Sequence, residues 1–194
     1  MSMKVIEGEK VDLISPFPVE HVHRVYDWMH QYKSIVETDL TPKTLDEYCE
    51  AMRSQLTEGG MVSYGVIDKH NVVGYTHPAP LVGIVGFEPH TAWNCYIHLA
   101  MNRRAWKYHM ADEAVTLALR DVFENTELLR VSALVLENNR PVRYMAQRLN
   151  FVREGLYEDW CTQEGKPVNV MHFGLTKTRW MAPVIIENTA AVGE

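Results

Sequence analysis

Cysteine is scarce in this 194-residue sequence: Cys49, Cys95 and Cys161 are far apart and odd in number. Neither a disulfide framework nor a zinc motif is implied, and all three thiols are expected to be buried and inert. Basic residues are outnumbered, 19 Lys and Arg against 25 Asp and Glu, and the formal net charge of −6 provides no cationic surplus for a nucleic-acid backbone. No apolar run approaches the roughly 18 residues of a membrane span, and Met1-Ser2-Met3-Lys4 opens no apolar signal region. A cytoplasmic protein with neither nucleic acid nor membrane as partner is expected. Nine histidines occur, but His21 and His23 are the only tight pair, so no metal site is expected.

What is present is the balance of a packed domain, 46% apolar and 23% charged residues. Residues 10–15 alternate like a short strand and stop at Pro16 and Pro18, after which Val19, Val22, Val25, Tyr26 and Met29 recur at helical spacing. Thr44-Leu45-Asp46-Glu47 is a capping box, and Leu45, Tyr48, Cys49, Met52 and Leu56 follow it as one apolar face. Three apolar runs, 61–67, 81–87 and 95–101, separated by turn-rich stretches such as Thr76-His77-Pro78-Ala79-Pro80, read as an antiparallel meander. Ala111, Ala114, Val115, Ala118 and Val122 mark a helix over 107–124, and Arg130–Leu136 reads as a strand. Asn139 can cap a further helix with Pro141 in its first turn, its buried face being Val142, Met145, Ala146 and Leu149. Strands over 151–160 and 168–175 close the domain around the Gln163-Glu164-Gly165-Lys166 turn.

From Leu99 to Phe151 the residues resemble the GNAT acyl-CoA N-acyltransferase superfamily, especially its branch related to ribosomal-protein N-terminal acetyltransferases. That branch shows a strand, a turn, and then Trp-Gly-x-Gly-x-Ala-Thr-Glu-Ala running into a helix. Here the stretch is Leu99-Ala100-Met101-Asn102, followed by Trp106-Lys107-Tyr108-His109-Met110-Ala111-Asp112-Glu113-Ala114. The family's Asn-x-x-Ser helix, closing in Leu-Gly-Phe-x-x-Glu-Gly, is similar to Asn139-Arg140-Pro141-Val142 and to Leu149-Asn150-Phe151-Val152-Arg153-Glu154-Gly155. The resemblance implies an α/β (α+β) GNAT fold: a mixed, twisted sheet with helices on both faces at roughly 18–31, 44–57, 107–124 and 140–149. It places the domain at 1–180 and leaves 181–194 as a tail.

The resemblance also implies a CoA thioester as cosubstrate, acetyl-CoA first of all, and an amine acceptor that could be a protein; a homodimer is left open. The strand carrying Leu99, Ala100 and Met101 would pair with the pantetheine arm, and the loop of Lys107, Tyr108, His109, Met110 and Ala111 would present amides to the pyrophosphate. Asn139 joins the coenzyme-binding set. Both family glycines are replaced, by Lys107 and His109. Either Arg103, Arg104, Lys107 and His109 substitute side-chain contacts for backbone ones, or these residues form a solvated face.

Acyl transfer to an ammonium needs a base, and His98 on the pantetheine strand and Glu88 at the end of the preceding strand are the candidates. The usual proton donors of the family are replaced by Val142 and Ala146, with Tyr144 and Tyr108 as weaker substitutes. Trp93, Tyr96, Tyr157 and Trp160 either line an acceptor groove or are core. A covalent route through Cys161 is disfavoured because Glu158, Asp159 and Glu164 around it would raise its pKa. The rival reading is a GNAT fold without catalysis that binds and regulates a protein partner.

Overall fold

Strand β4 (Leu81–Pro89) is apolar on both faces and buried over most of its length, so it must lie inside a sheet covered on two sides. Around it run β1 (Lys4–Ile6), β2 (Val11–Ser15), β3 (Val62–Asp68), β5 (Asn94–Met101), β6 (Arg130–Leu136), β7 (Val152–Gln163) and β8 (Lys166–Thr176). The computed structural model describes residues 3–31, 33, 37–58, 60–71, 73, 74 and 80–182. Among these, the strands form one eight-stranded sheet in the order β1-β2-β3-β4-β5-β6-β8-β7. All neighbours are antiparallel except β5 and β6, which makes the sheet mixed, as expected.

The helices are α1 (Val22–His30), α2 (Leu45–Thr57), the single turn α3 (Arg103–Trp106), α4 (Met110–Asn125), α5 (Arg140–Arg148) and the short α6 (Lys177–Met181). They cover both faces. One core joins α4 and α5 to Val11, Val66, Val85 and Phe173; the other joins α1 and α2 to Phe17, Leu81 and Ile84. Alternation along β4 puts Val85 and Phe87 against the first core and Ile84 against the second, and a bulge at Val82, where Val66 pairs with Gly83 but Ile67 with Leu81, reverses the parity so that Val82 joins the first core and Leu81 the second. The Thr44–Glu47 capping box forms as read, with reciprocal side-chain-to-amide bonds.

Four differences from the sequence reading have local causes. The helix expected from Lys107 begins at Met110, because His109 takes a left-handed conformation (φ 56°, ψ 27°) through which a right-handed helix cannot run. Residues 19–21 form a 3-10 turn instead of the first turn of α1. Strand β1 is only three residues long and too short for a periodic signal. Helix α6 is started by the Thr176 hydroxyl, which accepts the Arg179 amide. Residues 75–79 of the expected turn-rich stretch and 183–194 of the expected tail lie outside the described residues. Among the described residues, no helix is long and apolar enough to cross a membrane.

Candidate active site at the opening between two central strands

Strand β5 pairs with β4 over residues 95–101, but with its parallel neighbour β6 only over residues 94–96, which face 130–132. Strand β6 meanwhile stays paired with β8 along its whole length. Each half of the sheet is therefore internally satisfied while the two halves part beyond Tyr96. The β5 backbone at 97–101 has no ladder partner on its β6 side, and such an edge can accept an extended ligand. A cavity of about 370 Å³ occupies the opening, running from Asn139, Val142 and Ala146 near α5, past Ile97–Ala100 and Ala133–Leu136, to Met29, Tyr48 and Met52 under α1 and α2.

His98 lines this cavity, and Glu88, which does not, meets His98 from β4. In the β4–β5 register Gly86 faces His98 and Glu88 faces Tyr96, so the two side chains are diagonal neighbours on one face. His98 Nε2 lies 2.8 Å from Glu88 Oε2, and both side chains are about half exposed. A carboxylate can only accept, so this contact puts the ring hydrogen on Nε2 and leaves the neutral ring's lone pair on Nδ1. The two candidates read separately from the sequence are thus one coupled pair, with Glu88 orienting His98.

Of the expected coenzyme-strand residues, Leu99 and Ala100 line the cavity, whereas the Met101 side chain is buried in the core at 2% exposure. Asn139 is buried, lines the cavity and caps α5 by accepting the Val142 amide. Val142 and Ala146 face the cavity, and neither can give a proton. Tyr144 stands outside, 60% exposed, as its angular offset on the helix requires. Sequence reading missed Tyr48, taken only as part of an apolar stripe: its hydroxyl donates to Met29 Sδ at 3.1 Å, and burial raises its pKa far above the ordinary value. Phenylalanine would keep the same periodicity, so the pattern carried no sign of a polar role.

The loop leading into α4 is more occupied than expected. The amides of Lys107, Tyr108 and His109 bond back to Arg104, Ala105 and Trp106. The orphan amides left for an anion are those of Met110, Ala111 and Asp112, at a helix start whose N-cap His109 supplies no side-chain bond. The side chains of Met110 and Ala111 are themselves buried. Asp112 and Glu113 put negative charge in this first turn, and both are engaged: Arg148 reaches Asp112 Oδ1 at 2.7 Å, and Glu113 accepts the Glu9 and Lys10 amides. Beside the turn, Arg103, Arg104 and Lys107 line an open depression with Gln31 and Asn102. Tyr108 is 44% exposed.

His109 thus keeps a backbone conformation that glycine adopts at no steric cost. His109→Gly should stabilise the fold by about 0.5–1 kcal/mol, the relief of the left-handed Cβ offset in part by the extra freedom of the unfolded chain. A thermal melt that falls instead of rising would show that the exposed His109–Asp112 contact, at 3.6 Å, outweighs the backbone effect.

Two further expectations are corrected. Cys161 is only partly buried, is absent from the cavity lining and contacts Val168 O at 3.9 Å. Its pKa is raised first by burial and then by the Asp39 carboxylate, not by the sequence-adjacent acids. Trp93 and Trp160 are 59% and 58% exposed, and Tyr157 lies over Trp160 with ring centroids 4.8 Å apart. These residues are therefore not core, and neither they nor Tyr96 lines the cavity. Among the described residues, no group of three or more His, Cys, Asp or Glu side chains is placed to hold a metal ion.

A mixed sheet parted between two parallel central strands, with an uncapped helix start beside the gap, defines the class of acyl-CoA N-acyltransferase folds. Residues 13–152 match the acetyltransferase (GNAT) domain, and the chain belongs to that family. Acyl transfer is the activity class that goes with it. Solved structures share the fold. Mycobacterium smegmatis RimJ in complex with CoA-disulfide is 17% identical with a TM-score of 0.71, covering 93% of this chain and 88% of its own. The ribosomal-protein-S5-alanine acetyltransferase from Vibrio fischeri is 12% identical with a TM-score of 0.72, covering 92% and 100%. A GCN5-related N-acetyltransferase from Brucella melitensis is 18% identical with a TM-score of 0.70, covering 93% and 81%. No curated protein matches the chain.

Proposed function

We propose that this chain moves an acyl group from CoA to a primary amine by direct attack in a ternary complex, with the His98–Glu88 pair taking the proton. The observation that carries this reading is the opening between β5 and β6 with a hydrogen-bonded histidine at its wall. The free β5 edge at 97–101 would hold the pantetheine arm, and the Met110, Ala111 and Asp112 amides would face the pyrophosphate, helped by Lys107 and the neighbouring arginines. The amine's electron pair forms the new C–N bond, its proton passes to His98 Nδ1, and the C–S pair leaves with sulfur. Val142 and Ala146 give no proton, so water serves the departing thiolate.

Titration of the folded protein with CoA tests the coenzyme half of this reading. At about 100-fold over Kd, mass action adds about 2.7 kcal/mol. In a chain of this size that is a rise of about 5–10 °C in Tm. Lys107→Glu should weaken CoA by about tenfold, the loss of one phosphate attraction and the gain of one repulsion. No shift at millimolar CoA would leave a GNAT fold that works by binding something else.

A further inference from the structure

Resting on that coenzyme reading, we infer that the acyl group carried here is longer than acetyl, an unbranched chain of about four to eight carbons housed in the apolar end of the cavity beneath α1 and α2. The cavity does not stop at His98. It passes through the parted sheet, from the core shared by α4 and α5 to the core shared by α1 and α2. An apolar cavity of about 150 Å³ already holds a benzene-sized guest. The 370 Å³ found here leaves room for several carbons beyond the end of a thiol arm.

The chemistry of the walls decides between an apolar tail and a charged acceptor. Among the described residues, no Asp, Glu, Lys or Arg lines the cavity, and the titratable side chains that do are His98 and Tyr48. Burial holds the Tyr48 phenol neutral, and its hydroxyl is engaged with the Met29 sulfur. An ammonium group pushed past His98 would find no counter-charge there, whereas methylene groups lose only water. Met29, Met52 and Met61 make much of the far wall. Their unbranched thioethers can adjust to chains of different length. Gly86 widens the passage opposite His98: a Cβ there would come 2.8 Å from Met61 Sδ.

The test measures binding, not turnover, with S-ethyl-, S-butyl- and S-hexyl-CoA thioethers against free CoA on the intact protein. Affinity should climb with each buried methylene, by up to roughly fourfold, equivalent to ~0.8 kcal/mol. The S-hexyl compound should exceed S-ethyl by at least about tenfold even if only part of the chain is buried. Met52→Trp, filling the far end, should cancel that gain, and Met52→Ala should move the optimum to a longer chain. Each variant is read as the ratio of thioether to CoA affinity, so a general loss of stability does not imitate the result. Free CoA that binds while S-hexyl-CoA binds no tighter than S-ethyl-CoA would overturn the inference and leave the coenzyme reading standing. Failure of CoA itself to bind would overturn both.

Discussion

Replacing His98 by alanine is expected to lower the turnover of an amine acceptor by about a hundredfold or more, the loss typical of a removed general base. The effect should fall on kcat and kcat/KM together, since the imidazole acts on the proton that moves and adds little to binding. Glu88→Gln should cost less, about tenfold, because glutamine still fills the space but can donate as well as accept. With its hydrogen-bond partner no longer restricted to accepting, His98 can settle in the tautomer that puts the hydrogen on Nδ1, the wrong atom for a base. An affinity for CoA unchanged from wild type in both variants separates this from mere structural damage. Cys161→Ala is the control, with turnover expected to stay at the wild-type rate. A trapped acyl-enzyme that disappears in Cys161→Ala would refute direct attack. Intact CoA binding with no acceptor turned over in a broad amine panel would mean that Val142 and Ala146 mark a lost activity.

Most of this site was legible because it depends on short-range pattern. The capping box at Thr44, the small-residue stripe of α4 and the Asn139-Pro141 start of α5 each fix an element through local chemistry, and all three form. The placement of Val142 and Ala146 toward the cavity, and of Tyr144 away from it, follows from helical angle alone. What stayed hidden depends on tertiary register. His98 and Glu88 are ten residues apart, and only the β4–β5 pairing makes them diagonal neighbours. The exposure of Trp93 and Trp160 could not be read from residue type, because aromatics serve core and surface alike. The start of α4 was misplaced for another reason. A histidine at positive φ breaks a preference that sequence reasoning relies on, and the family's glycine at that position was the one available signal.

The largest loss of stability outside the apolar core is expected where α4 is tied to the sheet. Tyr64 of β3 is 2% exposed, and its hydroxyl donates to Asp121 Oδ2 at 2.8 Å. Asp121 also receives Asn125 Nδ2 at 2.8 Å and forms an ion pair with Lys4. Asp121→Ala removes a hydrogen bond to a charged acceptor and strands a buried phenol, a combined cost of about 3 kcal/mol. In a chain of this size Tm should fall by about 6–12 °C. Tyr64→Phe should cost less, about 1 kcal/mol, because it takes the donor away instead of orphaning it and leaves Asp121 with its other partners. The double variant should therefore be more stable than the sum of the two losses predicts, by about 1–2 kcal/mol of coupling. Alkaline pH supplies an independent check. Burial first, and the Asp121 hydrogen bond and charge second, push the Tyr64 pKa far above its ordinary value. The folded state thus holds the proton more tightly than the unfolded chain, so this contribution is complete below about pH 10, the unfolded phenol's pKa, and declines as pH rises above it. The gap in stability between wild type and Tyr64→Phe should accordingly be constant through neutral pH and close in the alkaline range. A gap that stayed constant there, or additive losses in the double variant, would mean that the phenol and the carboxylate do not act as a pair.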